Sequence, residues 1–381
     1  MLGENSLITQ AKEAREQTKT AEVNEKTQMG SASDFISEAV NNTELPQTNE
    51  TKPYMPEDGF TKVEDTNLAN GLTIQDSDGN QYVWAEVPKT VTVYPTAGLH
   101  ITEFNTETYT KIEDDLHQYT MSYRKVNKDT ETGNKDEYAE DTTDGWFKNA
   151  EEYNQQKYKM LKGIYQNGGF LVGRYEVGID QIRATRTDIT TITNINIKEN
   201  KYPCGYLKRT EAKIIAEKFE YGKYKGSLML GVQWDLILAF IHEKENVSND
   251  VINKDCSTIG NCPASEIKIN RGKFARHGNL ERWYNYDENL DGIVINKIKK
   301  TQKAVENTII LTTGATDIGK TMNIYDICGN AWEWTLEKSI KEEYPCVYRG
   351  GVSEYNTPAS YRSYHSTSPS GYDIGFRIVL Y

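Results

Sequence analysis

Two tryptophans bracketing a glutamate, directly after a Gly-Asn pair, constrain this chain more than any other feature. They lie in Tyr325-Asp326-Ile327-Cys328-Gly329-Asn330-Ala331-Trp332-Glu333-Trp334-Thr335. The chain has only 6 Trp, so this pairing is rare by chance. Arg349-Gly350-Gly351 and Gly375-Phe376-Arg377 follow in order toward the C-terminus. Trp332 and Trp334 are expected to anchor a core, with Arg349 and Arg377 paired internally.

The 381 residues have room for two domains, or for one large domain with appendages. Hydrophobic content is 37% and mean hydropathy −0.71, so a sizeable core must coexist with long polar loops or tails. Lys and Arg number 44 against 56 Asp and Glu, a net charge of −12. No Lys/Arg cluster offers the basic face that phosphates require, which argues against a nucleic-acid partner. The 25 Tyr outnumber the 9 Phe, a bias toward half-exposed aromatic surface suited to sugars or protein partners. Cys256 and Cys262 are close enough to clip a small loop, while Cys204, Cys328 and Cys346 are scattered. An odd, sparse set without zinc spacing favours free thiols over a disulfide framework. No run reaches the roughly 18 apolar residues of a membrane span, and Met1-Leu2-Gly3-Glu4-Asn5 holds no signal-peptide apolar core.

Four regions are expected along the chain. Residues 1–40 begin with a weakly amphipathic, exposed helix over about 4–29, its stripe formed by Leu7, Ala11, Ala14, Thr18 and Ala21. Pro46, Pro53 and Pro56 mark a linker at 41–60. Within 61–159, Leu72, Ile74, Tyr82, Trp84 and Val87 alternate around Asp76-Ser77-Asp78-Gly79, a hairpin with a two-residue Asp-Gly turn signal. That hairpin either joins the C-terminal domain or starts a small β module. The acidic, polar stretch 127–144 reads as a surface loop. From 160 to 381 the pattern is that of one domain. Phe170-Leu171-Val172-Gly173-Arg174-Tyr175-Glu176-Val177 reads as a buried strand, and Thr210 to Phe219 as a helix N-capped by Thr210 with Ala212, Ile215 and Ala216 on one face.

These residues carry a resemblance. The Gly-Asn-Ala-Trp-Glu-Trp segment, Arg-Gly-Gly, Gly-Phe-Arg, the 170–177 strand, the 210–219 helix and Gln233-Trp234-Asp235 after Leu228 resemble the formylglycine-generating (sulfatase-modifying factor) family, a variant of the C-type-lectin fold. Met229 stands where that family has Pro. The resemblance implies an α+β fold over 160–381 with much irregular structure, preceded by the exposed helix and the hairpin region. The segment from Leu2 to Ala14 resembles the stalk helix of clostridial pilin-like surface proteins, where it follows a membrane helix. A missing N-terminal membrane helix and a bacterial surface or extracellular, pilus-like location are the expectation. A cytoplasmic protein with an ordinary soluble helix is the alternative.

Function is narrowed by what the motifs lack. The family's oxidases use a cysteine pair that the resemblance places near Pro358 and at Ser363, and 352–374 contains no Cys. A serine hydroxyl is no substitute for a thiolate as a soft-metal ligand. The sulfoxide-synthase branch needs an iron-binding histidine set, and His100, His117, His242, His277 and His365 are isolated in sequence. Gly-x-Ser-x-Gly and phosphate-cradling loops do not occur. The expectation is a non-catalytic protein, with a copper- or iron-dependent oxidoreductase of unrecognised ligands as the alternative. Calcium has two candidate sites. Asp287, Asn289 and Asp291, with Gly292 at the sixth position, open a calcium-type loop that lacks its closing Glu because Ile298 stands twelfth; an acidic turn is the competing reading. The resemblance implies a second at Asn330, Ala331 and Glu333, or else a core turn in which Glu333 satisfies backbone amides.

The interval 352–374 has the composition of a recognition surface. Tyr355, Tyr361, Tyr364 and Tyr372 alternate with Ser, Thr, Asn, Asp and His, pairing rigid rings with adaptable polar groups. The candidate ligand-binding residues are Tyr355, Asn356, Tyr364, His365, Tyr372 and Asp373. In retroelement-diversified receptors of the C-type-lectin fold this segment is the variable ligand-binding region. An extracellular protein or glycan is the expected partner, and an irregular loop packed on the core is the alternative.

Overall fold

A computed structural model of the protein describes residues 53–56, 59–124, 136–140, 145–245, 247–254, 256–265, 267, 269–288 and 308–381. The expected N-terminal helix, most of the linker, and two candidate calcium ligands, Asn289 and Asp291, lie outside the described residues. Thr61–Lys62 (β1), Thr73–Gln75 (β2) and Gln81–Glu86 (β3) precede helices Thr106–Thr120 (α1) and Ala150–Asn167 (α2). Gly169–Gly173 (β4), Gly178–Ile179 (β5), Tyr202–Pro203 (β6), Arg209–Ala216 (α3), Glu220–Tyr221 (β7), Tyr224–Leu228 (β8), Gly231–Glu245 (α4) and Asn249–Lys254 (α5) follow. The remainder is strand-rich: Lys273–Arg276 (β9), Asn279–Asn285 (β10), Ile309–Leu311 (β11), Lys320–Thr321 (β12), Ile324–Tyr325 (β13) and Trp332–Lys338 (β14). Cys346–Arg349 (β15), Arg362–His365 (β16), Ile374–Phe376 (β17) and Ile378–Leu380 (β18) complete it.

The class is α+β, with a curled antiparallel half-barrel sheet at its centre. Seven strands run in the order β1-β2-β3-β4-β18-β8-β7. The expected hairpin is β2–β3, with Ile74 opposite Tyr82. Its connection is longer than a two-residue turn: Asp76 to Asn80 form it, and Gly79, at φ +82°, donates its N–H to the Asp76 carbonyl over 3.0 Å. β3 then pairs along its length with β4, Trp84 opposite Leu171, so the hairpin joins the sheet of the C-terminal region. One apolar cluster extends from Tyr54 to Leu380.

Helix α4 explains its own burial. Every residue from Gly231 to Ile241 is buried, as a helix apolar on all sides must be. Its first turn leaves backbone N–H groups in need of acceptors. Asp136 supplies one, accepting from the Val232 N–H over 3.1 Å. Thus the 136–140 part of the expected surface loop carries buried Asp136 and Ala139 and packs inward. Helix α3 starts at Arg209, one residue before the expected cap; the Glu211 carboxylate, rather than Thr210, accepts from the Lys208 N–H over 2.8 Å. Cys256 and Cys262, close enough in sequence to clip a small loop, do form a disulfide, against the general preference for free thiols, while Cys204, Cys328 and Cys346 are free and buried.

A second sheet, β16-β15-β14-β17, lies beside the first. The chain passes from β17 to β18, and so from one sheet to the other, at Arg377. That side chain is fully buried and donates to the Gly173 carbonyl (2.9 Å), the Tyr325 carbonyl (2.7 Å) and the Glu333 carboxylate (2.7 Å). The Gly-Phe-Arg motif is therefore the joint between the two sheets.

Candidate functional site

Alternation along the second sheet separates two chemistries, because successive strand residues face opposite ways. Glu333 sits opposite Arg349, and Arg349 opposite Arg362; Trp334 sits opposite Tyr348, and Tyr348 opposite Ser363. The charged set faces the body. Arg349 donates to Glu337 (2.8 Å) and pairs with Asp235 of α4; Arg362 donates to Glu337 (2.6 Å); Arg124 donates to Asp235 (2.7 Å). Burial alone would raise the Glu337 pKa, but Arg362, Arg349 and Arg124 outweigh it and hold the carboxylate far below its usual range. Gly350 and Gly351 let this strand end approach its neighbours. A Cβ at Gly351 would meet the Gly329 nitrogen at 2.5 Å, and Gly350 has φ +81°.

The aromatic set faces the other way, toward the 352–374 loops. Trp332 is sandwiched between Tyr348 (4.7 Å between centroids) and Tyr355 (5.7 Å, 11° between planes). Tyr355 is 49% exposed, so its stacked ring presents its outer surface to solvent. Among the described residues the buried Trp332 indole N–H has no hydrogen-bond partner. His365 meets the Trp334 ring edge-on at 5.6 Å and is half-buried. The Asp373 carbonyl accepts from the Trp332 N–H over 2.9 Å, which places Asp373 and Tyr372 beside the same sandwich.

The structure thus brings Tyr355, His365, Tyr372 and Asp373 together on one side of the sheet. It does not bring Tyr364 with them. Tyr364 is two residues from inward-facing Arg362, and its hydroxyl accepts from Lys341 Nζ over 2.7 Å while its ring meets Tyr344 at 5.5 Å. Asn356 is exposed, and its Oδ1 accepts from the Ala264 N–H over 2.9 Å, tying the 352–374 interval to the disulfide-bearing segment. Ser363 and Pro358, which the resemblance aligns with the oxidase cysteines, lie on half-buried β16 and in the buried loop before it.

Three residues belong to this face that the sequence reading did not select. Tyr372 Oη donates to Glu354 Oε1 over 2.5 Å, and His277 Nδ1 reaches both groups. His277 comes from the β9–β10 turn, 95 residues from Tyr372. Tyr206 adjoins Tyr372, with centroids 6.2 Å apart. Its φ of +58° is a left-handed conformation that costs a non-glycine residue about 1–2 kcal/mol. It is held there by its N–H to the Gly371 carbonyl (2.8 Å) and its hydroxyl to the Ala184 carbonyl (2.7 Å). Gly205 makes the approach feasible, since a Cβ there would meet the Tyr372 carbonyl oxygen at 2.6 Å. Burial, then the bond to Glu354, raises the Tyr372 pKa well above its ordinary value. Burial and the nearby Glu354 charge also raise that of Asp373.

The side chains of the Gly-Asn turn are engaged elsewhere than the calcium reading requires. Both Glu333 oxygens accept from Arg377, at 2.7 and 3.1 Å. Asn330 Oδ1 accepts from Leu311 N–H (2.8 Å) and from Asn261 Nδ2 (3.1 Å), and Ala331 is buried. Glu333 instead belongs to a buried acidic group with Glu176 and Asp326, served by Arg377. Burial, then repulsion from Asp326 and Glu333, pushes Glu176 well up, and burial pushes Asp326 up to about 6. Asp287 is exposed on the turn after β10. Among the described residues no three His, Cys, Asp or Glu gather in a metal-holding arrangement.

No protein-family model matches the chain, and no curated protein matches it.

Proposed function

We propose that the chain is a non-catalytic, surface-displayed binding protein of formylglycine-generating-enzyme-like C-type-lectin fold, which takes an extracellular protein or glycan on the face formed by Tyr355, His365, Tyr372 and Asp373. The observation that carries this reading is the Tyr355 ring, 49% exposed and stacked on Trp332, which in turn packs against Tyr348. A large ring pre-stacked on a buried one loses little entropy on binding, and the polar groups beside it supply orientation. The buried Arg124, Arg349 and Arg362 pairs beneath the sheet support it as a stiff frame for variable loops. The Cys256–Cys262 disulfide favours an oxidising, extracellular setting.

A glycan array and a surface-protein binding screen supply the ligand; the test then compares wild type with Tyr355→Ala and Tyr372→Ala. Each should weaken binding by about tenfold or more without loss of fold, as central aromatic contacts do. Unchanged affinity in the double variant, with an unaltered circular-dichroism spectrum, places the binding site elsewhere.

A further inference from the structure

Beside the Tyr355 stack lies a cavity of about 350 Å³, walled by Tyr206 and Tyr372, with Ala184 and Leu280 as apolar lining and Asn279 and Glu281 at its polar side. We propose that this cavity receives a lysine or arginine side chain of a protein ligand. The inference rests on the reading of this face as a binding surface and names what enters it.

Charge complementarity selects a cation. Glu281 has no hydrogen-bond or ion-pair partner among the described residues and lines the cavity. Glu354 accepts from the hydroxyl of Tyr372, which walls the cavity. Two arginines beside Tyr206 are engaged. Arg186 is bonded to Glu211 (2.7 Å) and to the Tyr206 carbonyl (3.1 Å), and Arg183 to the carbonyls of Gly205 and Thr187, both at 2.7 Å. His277 is occupied by Glu354 and Tyr372. One carboxylate without a partner among the described residues, Glu281, therefore lines the cavity, in a chain of net charge −12. Two tyrosine rings add faces on which a guanidinium or ammonium stacks. The left-handed Tyr206 fits this use, because such strain collects at ligand clamps.

The test titrates the full chain with acetyl-Gly-Arg-Gly-amide, its lysine counterpart, the citrulline analogue as neutral isostere, and methyl glucoside. NMR chemical shifts and calorimetry are the readouts. Saturable binding of the basic peptides, weakened about tenfold by Glu281→Gln and by citrulline and reduced by salt, is the expected result. No saturation by about 10 mM peptide overturns the proposal, since a useful anchor binds in the millimolar range or better. Equal binding of the citrulline peptide, or preference for methyl glucoside, overturns it as well. Tyr355→Ala lies outside the cavity and separates the two readings. If it abolishes capture of the screened ligand while Glu281→Gln changes nothing, the binding face stands and the cation pocket falls.

Discussion

Replacing Asp326 by Asn should make the protein's stability less sensitive to pH in a direction that the buried acidic group dictates. Glu176, Asp326 and Glu333 are all buried, and one guanidinium, Arg377, is paired among them. Among the described residues Asp326 accepts one hydrogen bond, from the Gly314 N–H at 3.0 Å, and its other oxygen is buried without a partner. Its pKa rises from 3.8 to about 6 because burial penalises the charge. The folded protein therefore binds a proton more tightly than the unfolded chain. Wild-type stability from this source is highest at low pH and falls as pH rises from the unfolded value toward the folded one. Integrating that shift between pH 4.5 and 7.5 gives a loss of about 2 kcal/mol, which Asp326→Asn cannot suffer. The proton belongs to the three carboxylates jointly, so the measured quantity is the change for the group. Any fixed packing difference between Asp and Asn shifts both ends equally. Urea unfolding followed by tryptophan fluorescence at several pH values measures the difference between variant and wild type. That difference should move in the variant's favour by about 2 kcal/mol from pH 4.5 to 7.5. A difference that stays flat, or that moves in the wild type's favour, refutes the account of this cluster.

Other outcomes follow from the same geometry. Arg362→Ala leaves Glu337 short of a buried partner and should destabilise by about 3–5 kcal/mol in urea unfolding. Cys256→Ser with Cys262→Ser opens a loop of sequence separation 6. In chain-entropy terms that costs about 2 kcal/mol, and it should increase amide exchange at Ala264, which donates to Asn356. Calcium at about 1 mM should leave Tm unchanged if Glu333 stays with Arg377, whereas specific binding at the Gly-Asn turn would raise it by linkage.

The parts of this fold that could be read from sequence were those whose cause is local. Trp332, Trp334, Arg349 and Arg377 stand in short motifs, and all four are buried, with Arg349 paired to Asp235 and Glu337 and Arg377 to Glu333. The β2–β3 alternation likewise stated its own partner. What escaped depends on the chain returning to itself. Nothing around Tyr206 signals a left-handed tyrosine, because its conformation is enforced by bonds to Gly371 and Ala184. Glu354 reads as one more loop acid until His277 arrives from a distant turn. Tyr364 was grouped with the other tyrosines by composition, and strand parity alone turns it away from them. The short spacing of Cys256 and Cys262 allows the loop clip they form, but an odd count cannot decide between that and free thiols.

The two-sided burial of the second sheet underlies the proposed binding face. Ordinarily the apolar side of a strand turns inward and the charged side outward. Here Arg349 and Arg362 turn inward because Asp235 and Glu337 wait there, on α4 and β14, to neutralise them. Such pairs add little net stability over well-packed apolar residues. The opposite side of β14 and β15 carries Trp332, Trp334 and Tyr348, which belong to the main apolar cluster. Trp332, Tyr348 and their neighbours then lie just under the C-terminal loops, where Tyr355 needs only one stacking partner to be held rigid with its outer face in water. Loop residues can change around such an anchor while the buried charge pairs stay as they are. A substitution at Arg349 should consequently weaken ligand binding and stability together, and one at Tyr355 should weaken binding alone.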